Sequence, residues 1–415
     1  MKDSVKNTMK NSEKNPVKNV AFVFGTRPEA IKVAPVIRAM QDRSDMRPIV
    51  ISTGQHRDML QSAMTEFDLK ADADLDIMKP GQGLDQITAR IITGLGAPLK
   101  DFGIDAVVVH GDTASTFAGA LGAFYNRVPL VHLEAGLRSG HISSPFPEEA
   151  NRKLVCQISD LHLAPTLVSA DNLLHDGVDP DRIRVTGNTV VDAVRWAAAQ
   201  PVPEHQDDPL AFLDGPDTRP IIIATVHRRE SWGAPMREIA QALVDIARTH
   251  DVRIVMPLHL NPVVREAILP IVSGEDNIYP IEPLPYRQFC RLMIKAHLIV
   301  SDSSGAEEEG PSLGKPTLVL RDVTERPEAI TAGAAVLIGR TRQAVRTKVS
   351  ALLTDHILYD GMTRASGVYG DGQATARVLE ALSDLFTGVI SNAIPGIDFG
   401  AMPGKPQFAQ TQPAA

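Results

Sequence analysis

Short apolar runs of strand type alternate along the chain with longer segments whose apolar residues recur at helical spacing. Val20–Phe24, Arg47–Ser52, Ala106–Val109, Pro129–Leu133, Leu161–Ala164 and Arg184–Val185 read as buried strands, each stopping at glycine or polar residues. Between them, Ala30–Met40, the stretch from Arg57 to about Phe67, Asp85–Leu99, Ser115–Tyr125 and Val168–Asp176 carry the helical period. Six short strands separated by helices predict a doubly wound parallel sheet. The alternation breaks at Ala197–Pro220, which holds five prolines and several acids and reads as a linker. It restarts at Ile221–Val226 and continues through Arg253–Leu258, Ile278–Ile281, Leu298–Val300, Thr317–Leu320 and Ala335–Ile338. The expected organisation is therefore α/β throughout. It comprises an extension over 1–19, a Rossmann-like domain over 20–197, a linker over 198–220 and a second Rossmann-like domain over 221–372. A helix over 373–390 packs back across both domains, and a tail over 391–415 follows.

Composition narrows the partners. The 415 residues are 43% apolar and 22% charged, with a net charge of -8 and no Lys/Arg stripe interleaved with aromatics. Nucleic acid is thereby an unexpected partner. Cys156 and Cys290 lie far apart in amphipathic helical contexts, which predicts buried thiols in a reducing cytoplasm. With neither CxxC nor HExxH in the chain, no metal site is predicted. Met1–Asn19 is rich in Lys, Asn and Ser without an apolar core, so it reads as neither secretion signal nor membrane anchor. No apolar run approaches the length of a membrane span.

Three carboxylates stand where chemistry is done in such sheets. Asp112 follows the strand ending at Val109, and Glu134 follows the strand ending at Leu133. Glu148 comes after a Pro- and Ser-containing loop, at the start of the next helix. Ligand crevices of open parallel sheets lie beyond the carboxyl ends of strands, so all three are able to face one cleft as acid and base groups. Each also has a purely structural reading, as a helix cap or a partner of the helix dipole.

Two stretches suit an anion. Gly25-Thr26-Arg27-Pro28-Glu29 follows the first strand, where Thr26 and Glu29 fit a capping box and Arg27 and Lys32 surround a helix N-terminus. In the second half, Ser301-Asp302-Ser303-Ser304-Gly305 ends a strand at another helix start. Hydroxyls and backbone N–H groups there suit a diphosphate, Glu309 one turn on suits ribose hydroxyls, and Arg326 suits phosphate charge. Neither GxGxxG nor GxxxxGK[ST] occurs, so no dinucleotide fingerprint or P-loop is predicted.

These residues resemble the non-hydrolysing UDP-N-acetylglucosamine 2-epimerases, which share the two-domain GT-B architecture. The resemblance rests on Phe24-Gly-Thr-Arg-Pro-Glu-Ala30, Gly54-Gln-His-Arg57, His110-Gly-Asp-Thr113, Glu134-Ala-Gly-Leu-Arg138 and Pro147-Glu-Glu-Ala-Asn-Arg152 in the first half. In the second half it rests on His227-Arg-Arg-Glu230, His259-Leu-Asn-Pro262, Asp302 to Glu309 and Thr324-Glu-Arg-Pro-Glu328, with Gly187-Asn-Thr189 between. It implies conversion of UDP-N-acetylglucosamine to UDP-N-acetylmannosamine, by elimination and re-addition of UDP through 2-acetamidoglucal, with no added cofactor. It puts the catalytic groups at Asp112, Glu134, Glu148 and His227. The UDP site falls on Arg27, Lys32, Phe289, Ser303, Ser304, Gly305, Glu309 and Arg326. It also implies a homodimer, and a second UDP-N-acetylglucosamine as activator at Gln55, His56, Gln82, Arg228 and His259. The hydrolysing epimerase branch and the GT-B glycosyltransferases are the alternatives. The chain departs from the usual glycine-loop pattern at Ser304 and at Glu307, where the family carries glycine and glutamine, and Glu307 is expected to add negative charge near the anion.

Overall fold

The computed structural model describes residues 16–55, 57–79, 81–201, 208–324, 326–365 and 367–388. His56, most of the N-terminal extension, the middle of the linker and the C-terminal tail lie outside them. The first half runs β1 (Lys18–Phe24), α1 (Arg27–Gln41), β2 (Met46–Ser52), α2 (Arg57–Glu66), β3 (Ala73–Asp74) and α3 (Leu84–Asp101). It continues with β4 (Ala106–His110), α4 (Ala114–Tyr125), β5 (Leu130–Leu133), α5 (Glu148–Ile158), β6 (Leu161–Ala164), α6 (Leu167–His175), β7 (Ile183–Val185) and α7 (Thr189–Ala199). The second half holds β8 (Ile221–Thr225), α8 (Ala234–Thr249), β9 (Arg253–Pro257), α9 (Pro262–Val272), β10 (Ile278–Ile281) and α10 (Tyr286–Lys295). Then come β11 (Leu298–Ser301), α11 (Ser304–Ser312), β12 (Thr317–Val319), α12 (Pro327–Ala332) and β13 (Ala335–Leu337). Helices α13 (Arg342–Thr354), α14 (His356–Arg364) and α15 (Ala374–Thr387) close it.

Both sheets are parallel, in the orders β3-β2-β1-β4-β5-β6-β7 and β10-β9-β8-β11-β12-β13. Strand order reverses between β1 and β4 in one sheet and between β8 and β11 in the other. A crevice opens at such a switch point, so the turns after these four strands are where a ligand belongs.

The first sheet has one strand more than the apolar pattern predicts. β3 spans two residues, Ala73 opposite Ile51 and Asp74 opposite Ser52, too short to leave a period in the sequence. β1 begins at Lys18, two residues inside the expected extension. Asp105 accepts from Lys18 Nζ at 2.8 Å and from the Asn19 backbone N at 2.9 Å, so polar residues extend the strand beyond its apolar run. α7 runs on to Ala199, past the expected domain edge, and Leu210 and Leu213 in the proline-rich segment are buried.

The two halves share a core. One apolar cluster runs from Phe22, Val36 and Ile37 through Ala193, Val194 and Ala197 of α7 to Tyr286, Cys290, Met293 and Ile299, and takes in Val378 and Leu382 of α15. α7 packs on α1, α10, α11 and α15, and α15 packs on α1 as well. Cys156 and Cys290 are free, buried thiols. No described helix is long and apolar enough to cross a membrane.

Candidate active site

The first-domain wall is built on Glu29. Its Oε2 accepts from the backbone N–H groups of Gly25 at 3.0 Å and Thr26 at 2.8 Å, as the capping box predicts. Its Oε1 accepts from the hydroxyls of Thr113 at 2.7 Å and Thr116 at 3.0 Å. One buried carboxylate thus ties the turn after β1 to the turn after β4. Gly25 is obligatory there, because a Cβ would come within 2.0 Å of Thr53 Oγ1 and 2.3 Å of Ser115 Oγ. Arg27 then opens α1, and Lys32 lies one turn inside it, buried.

Asp112 is fixed by α5. Arg152 donates to its Oδ2 from Nη2 at 2.6 Å and Nε at 2.8 Å, and Asn151 Nδ2 donates to its backbone carbonyl at 2.7 Å. Both contacts from Arg152 fall on the same oxygen, which leaves Oδ1 outside the pair. Glu134 sits in a left-handed backbone conformation, φ +62°, which costs a residue with a Cβ about 1–2 kcal/mol and marks a position held by its surroundings. Its Oε2 accepts from Lys32 Nζ and from Asn188 Nδ2 at 2.9 Å, with His110 Nε2 at 3.8 Å. Burial alone would raise this carboxyl, but the charges of Lys32 and Arg326 outweigh it and hold it well below the usual carboxylate range. Burial likewise drives His110 towards its neutral form. Glu148 is the first residue of α5, half-buried, and among the described residues no hydrogen bond or ion pair occupies it.

The second wall is organised by Asp302, which is fully buried. Its carboxylate accepts from the backbone N–H of His227 at 3.0 Å, the backbone N–H of Arg228 at 2.9 Å and Ser231 Oγ at 2.9 Å, binding the turn after β8 to the end of β11. The His227 ring consequently stacks on the His259 ring at 5.5 Å, and burial lowers its pKa, with His259 and Arg228 acting in the same direction against Asp302. Ser303 stands at the N-cap position of α11, its side chain making no capping bond, and Ser304 is the first residue of the helix. At Gly305 an added Cβ would meet only ordinary contacts, Glu309 Oε2 and Ser303 Oγ at 3.7 Å, and its φ is not positive. Nothing in the fold itself requires glycine there, whereas a phosphate approaching the helix start would.

Glu309 accepts from Tyr286 Oη at 3.0 Å. Burial pushes its carboxyl up to about 7, with Glu308's charge adding to the effect and Tyr286, Lys32 and Arg27 opposing it. Phe289 lies on α10 beside the shared apolar cluster. Glu307, expected to add negative charge near the anion, stands inside an ion pair. It is buried, and its Oε2 meets Arg321 Nη1 at 3.2 Å, so its charge is matched inside the second domain.

The walls meet through charge. Glu308 Oε2 lies 2.8 Å from Lys32 Nζ, and its Oε1 accepts from Arg326 Nε at 2.6 Å, while Lys32 also holds Glu134. Two cations and two carboxylates therefore form one buried chain across the cleft. Thr166 Oγ1 to Glu328 at 3.3 Å and Asn188 N to the Tyr369 carbonyl at 2.7 Å cross the same boundary. Of the expected activator positions, Arg228 and His259 gather beside His227. Gln55 accepts from Ser115 Oγ at 2.8 Å and Gln82 accepts from Lys79 N, so both are engaged within the first domain. Among the described residues no group of His, Cys, Asp or Glu is placed to hold a metal ion.

Several residues of the site were not singled out by sequence pattern. Arg152, Asn188, Asp302 and Glu308 stand inside the matching motifs, and their signal is a polar residue whose neighbours all serve the cleft. Tyr286 carries a weaker one, three residues before Phe289 and so on the same face of α10.

Two parallel-sheet domains, facing each other across a cleft with carboxylates on one wall and a serine- and glycine-bearing helix start on the other, define a GT-B enzyme of nucleotide-sugar type. The UDP-N-acetylglucosamine 2-epimerase family model matches residues 38–383. The UDP-N-acetylglucosamine 2-epimerase of Escherichia coli (strain K12) is 49% identical over 371 residues, covering 88% of this chain and 98% of that protein. A crystal structure of a putative UDP-N-acetylglucosamine 2-epimerase from Listeria monocytogenes superposes with a TM-score of 0.83 at 40% identity, covering 92% of this chain and 100% of the other. The Neisseria meningitidis enzyme, solved bound to UDP-N-acetylglucosamine, superposes with a TM-score of 0.80 at 44% identity, covering 88% of this chain and all of that one. The chain belongs to the UDP-N-acetylglucosamine 2-epimerase family.

Proposed function

We propose that this enzyme interconverts UDP-N-acetylglucosamine and UDP-N-acetylmannosamine without hydrolysis, by eliminating UDP and adding it back. The observation that carries the reading is the charge chain Glu134–Lys32–Glu308–Arg326 across the cleft, which joins the domain that carries Asp112 and Glu148 to the helix that starts at Ser303–Gly305. An unactivated C2 proton is a poor acid, so a base must be held against it while cations receive the departing diphosphate. One side chain does both jobs here. While Lys32 is bound to Glu134, that carboxylate is a weak base. A diphosphate that draws Lys32 and Arg326 towards itself loosens Glu134 and restores its basicity, so substrate binding itself arms the site. Glu148 is free to carry a proton, and Asp112, anchored through one oxygen, can use the other. The balance then closes: a carboxylate takes the C2 proton while the C1–O bond to UDP breaks and a C1=C2 double bond forms, and on re-addition the UDP oxygen rejoins C1 as a carboxylate returns a proton to either face of C2.

The cytoplasm, a homodimer and a second UDP-N-acetylglucosamine beside His227, Arg228 and His259 complete the proposal. Phe124, Tyr125 and Leu154 on α4 and α5 are exposed apolar residues in keeping with a subunit contact. Incubation with UDP-N-acetylglucosamine alone tests the reaction. UDP-N-acetylmannosamine is the expected product, and accumulation of free N-acetylmannosamine with stoichiometric UDP would assign the chain to the hydrolysing branch instead.

A further inference from the structure

Helix α10 carries Tyr286 to the nucleotide side of the cleft but cannot cap itself, since its N-cap is Pro285 and no side chain of that turn accepts from the helix. The missing acceptor comes from the other domain. Glu66, the last residue of α2, accepts from the backbone N–H of Tyr286 through Oε1 at 2.8 Å and from that of Arg287 through Oε2 at 2.7 Å. The next two residues reinforce the grip. Phe67 is fully buried and packs on the Trp196 ring at 4.9 Å and the Tyr286 ring at 5.8 Å. Asp68 Oδ2 lies 3.2 Å from Arg38 and 3.3 Å from Arg287, and both guanidinium groups lie over the Trp196 indole, at 4.5 Å and 4.8 Å. Three consecutive first-domain residues therefore hold the first turn of a second-domain helix whose tyrosine hydroxyl donates to Glu309.

We propose that Glu66 is a positioning residue for nucleotide binding, fixing the first turn of α10 from the opposite domain and, through Tyr286, the Glu309 carboxylate. The proposal rests on the reading of Glu309 as acceptor of the ribose hydroxyls. A carboxylate bonded to two helix-start N–H groups fixes both the position and the tilt of that turn, and an aromatic ring anchored at its own backbone aims its hydroxyl accordingly. Glu66 meets α10 through two backbone N–H groups and, among the described residues, bonds to none of Asp112, Glu134 or Glu148, so its effect belongs to nucleotide affinity and not to proton transfer.

UDP affinity by titration calorimetry and steady-state kinetics of Glu66→Ala, Glu66→Gln, Tyr286→Phe and the Glu66→Ala/Tyr286→Phe double variant test this. Glu66→Ala should weaken UDP and raise KM by about 5-fold or more, the scale of a lost cap, with kcat within about 2-fold. Glu66→Gln keeps one acceptor oxygen and should fall between, which also serves if the alanine variant is unstable. Tyr286→Phe should weaken UDP by itself, and adding Glu66→Ala to it should then cost little more, because both act on one contact. Unchanged UDP affinity in Glu66→Ala or Glu66→Gln, with only Tm lowered, would reduce Glu66 to domain adhesion and overturn the proposal. Fully additive losses would overturn the route through Tyr286. A Tyr286→Phe variant with native UDP affinity would instead strike at the ribose reading of Glu309, and the proposal would fall with it.

Discussion

Replacing Glu308 by glutamine should tighten UDP binding. Glu308 is buried, receives Arg326 at 2.6 Å and lies 2.8 Å from Lys32, the two cations that a diphosphate at the α11 start would need. With Glu134 the chain of four charges sums to zero, so Lys32 and Arg326 stay matched by carboxylates until Glu308 gives way. Glutamine keeps the shape and one acceptor oxygen but leaves the group with one positive charge in excess. At an effective dielectric of about 20 and a separation of about 5 Å, one unit charge is worth roughly 3 kcal/mol to each unit of ligand charge. Solvent in the open cleft and the reorganisation of Lys32 towards Glu134 cut this to about 1–2 kcal/mol, or roughly 5- to 30-fold in Kd. The unliganded enzyme should lose stability, because an anion between two buried cations has been removed, and Tm should fall by several degrees. Calorimetric titration with UDP and a thermal melt of the same preparation measure both effects. A folded Glu308→Gln variant that binds UDP no better than the parent would refute the idea that Glu308 occupies the diphosphate's place.

Further expectations concern the other groups. Asp112→Asn and Glu148→Gln keep the shape and remove the base, so kcat should fall by roughly 100-fold or more while UDP Kd stays within a few-fold, as steady-state assay and calorimetry on the same preparation will measure. Because burial holds the Glu309 carboxyl up at about 7, its ionised form gains as pH rises through that range, and UDP binding should strengthen in the same direction. Tyr286 lowers that pKa by donating, so Tyr286→Phe should move the midpoint to higher pH. The difference between the two titration curves cancels the ionisation of UDP itself. If a second UDP-N-acetylglucosamine binds beside Arg228 and His259, initial rates should rise sigmoidally with substrate, and hyperbolic rates in both directions would leave these residues as cleft lining.

Much of this architecture is legible in the sequence itself. The strands following one another at Val20, Ala106, Ile221 and Leu298 are continuous apolar runs, and burial on both faces of a parallel sheet leaves that mark. The site carboxylates were legible for a related reason, since Asp112 and Glu134 break off such runs at the edge where ligands bind. β3 was not, because two residues carry no period, and the start of β1 at Lys18 was not, because Asp105 secures it from 87 residues away in sequence. The electrostatics were the least legible part. Sequence presents Glu307, Glu308 and Glu309 as one acidic turn, and the fold sends each to different partners, Glu307 to Arg321, Glu308 to Lys32 and Arg326, and Glu309 to Tyr286. A helix places successive residues 100° apart, and which partner each meets depends on elements folded against that helix from both domains.

The proposed reaction requires proton removal at C2, and the reaction run in D2O measures it directly. UDP-N-acetylglucosamine is incubated to partial conversion, and the product is examined at C2 by proton NMR and mass spectrometry. Carboxylates exchange their protons with water far faster than turnover, so UDP-N-acetylmannosamine should carry solvent deuterium at C2. Product that retains the substrate's own hydrogen at C2 would contradict it.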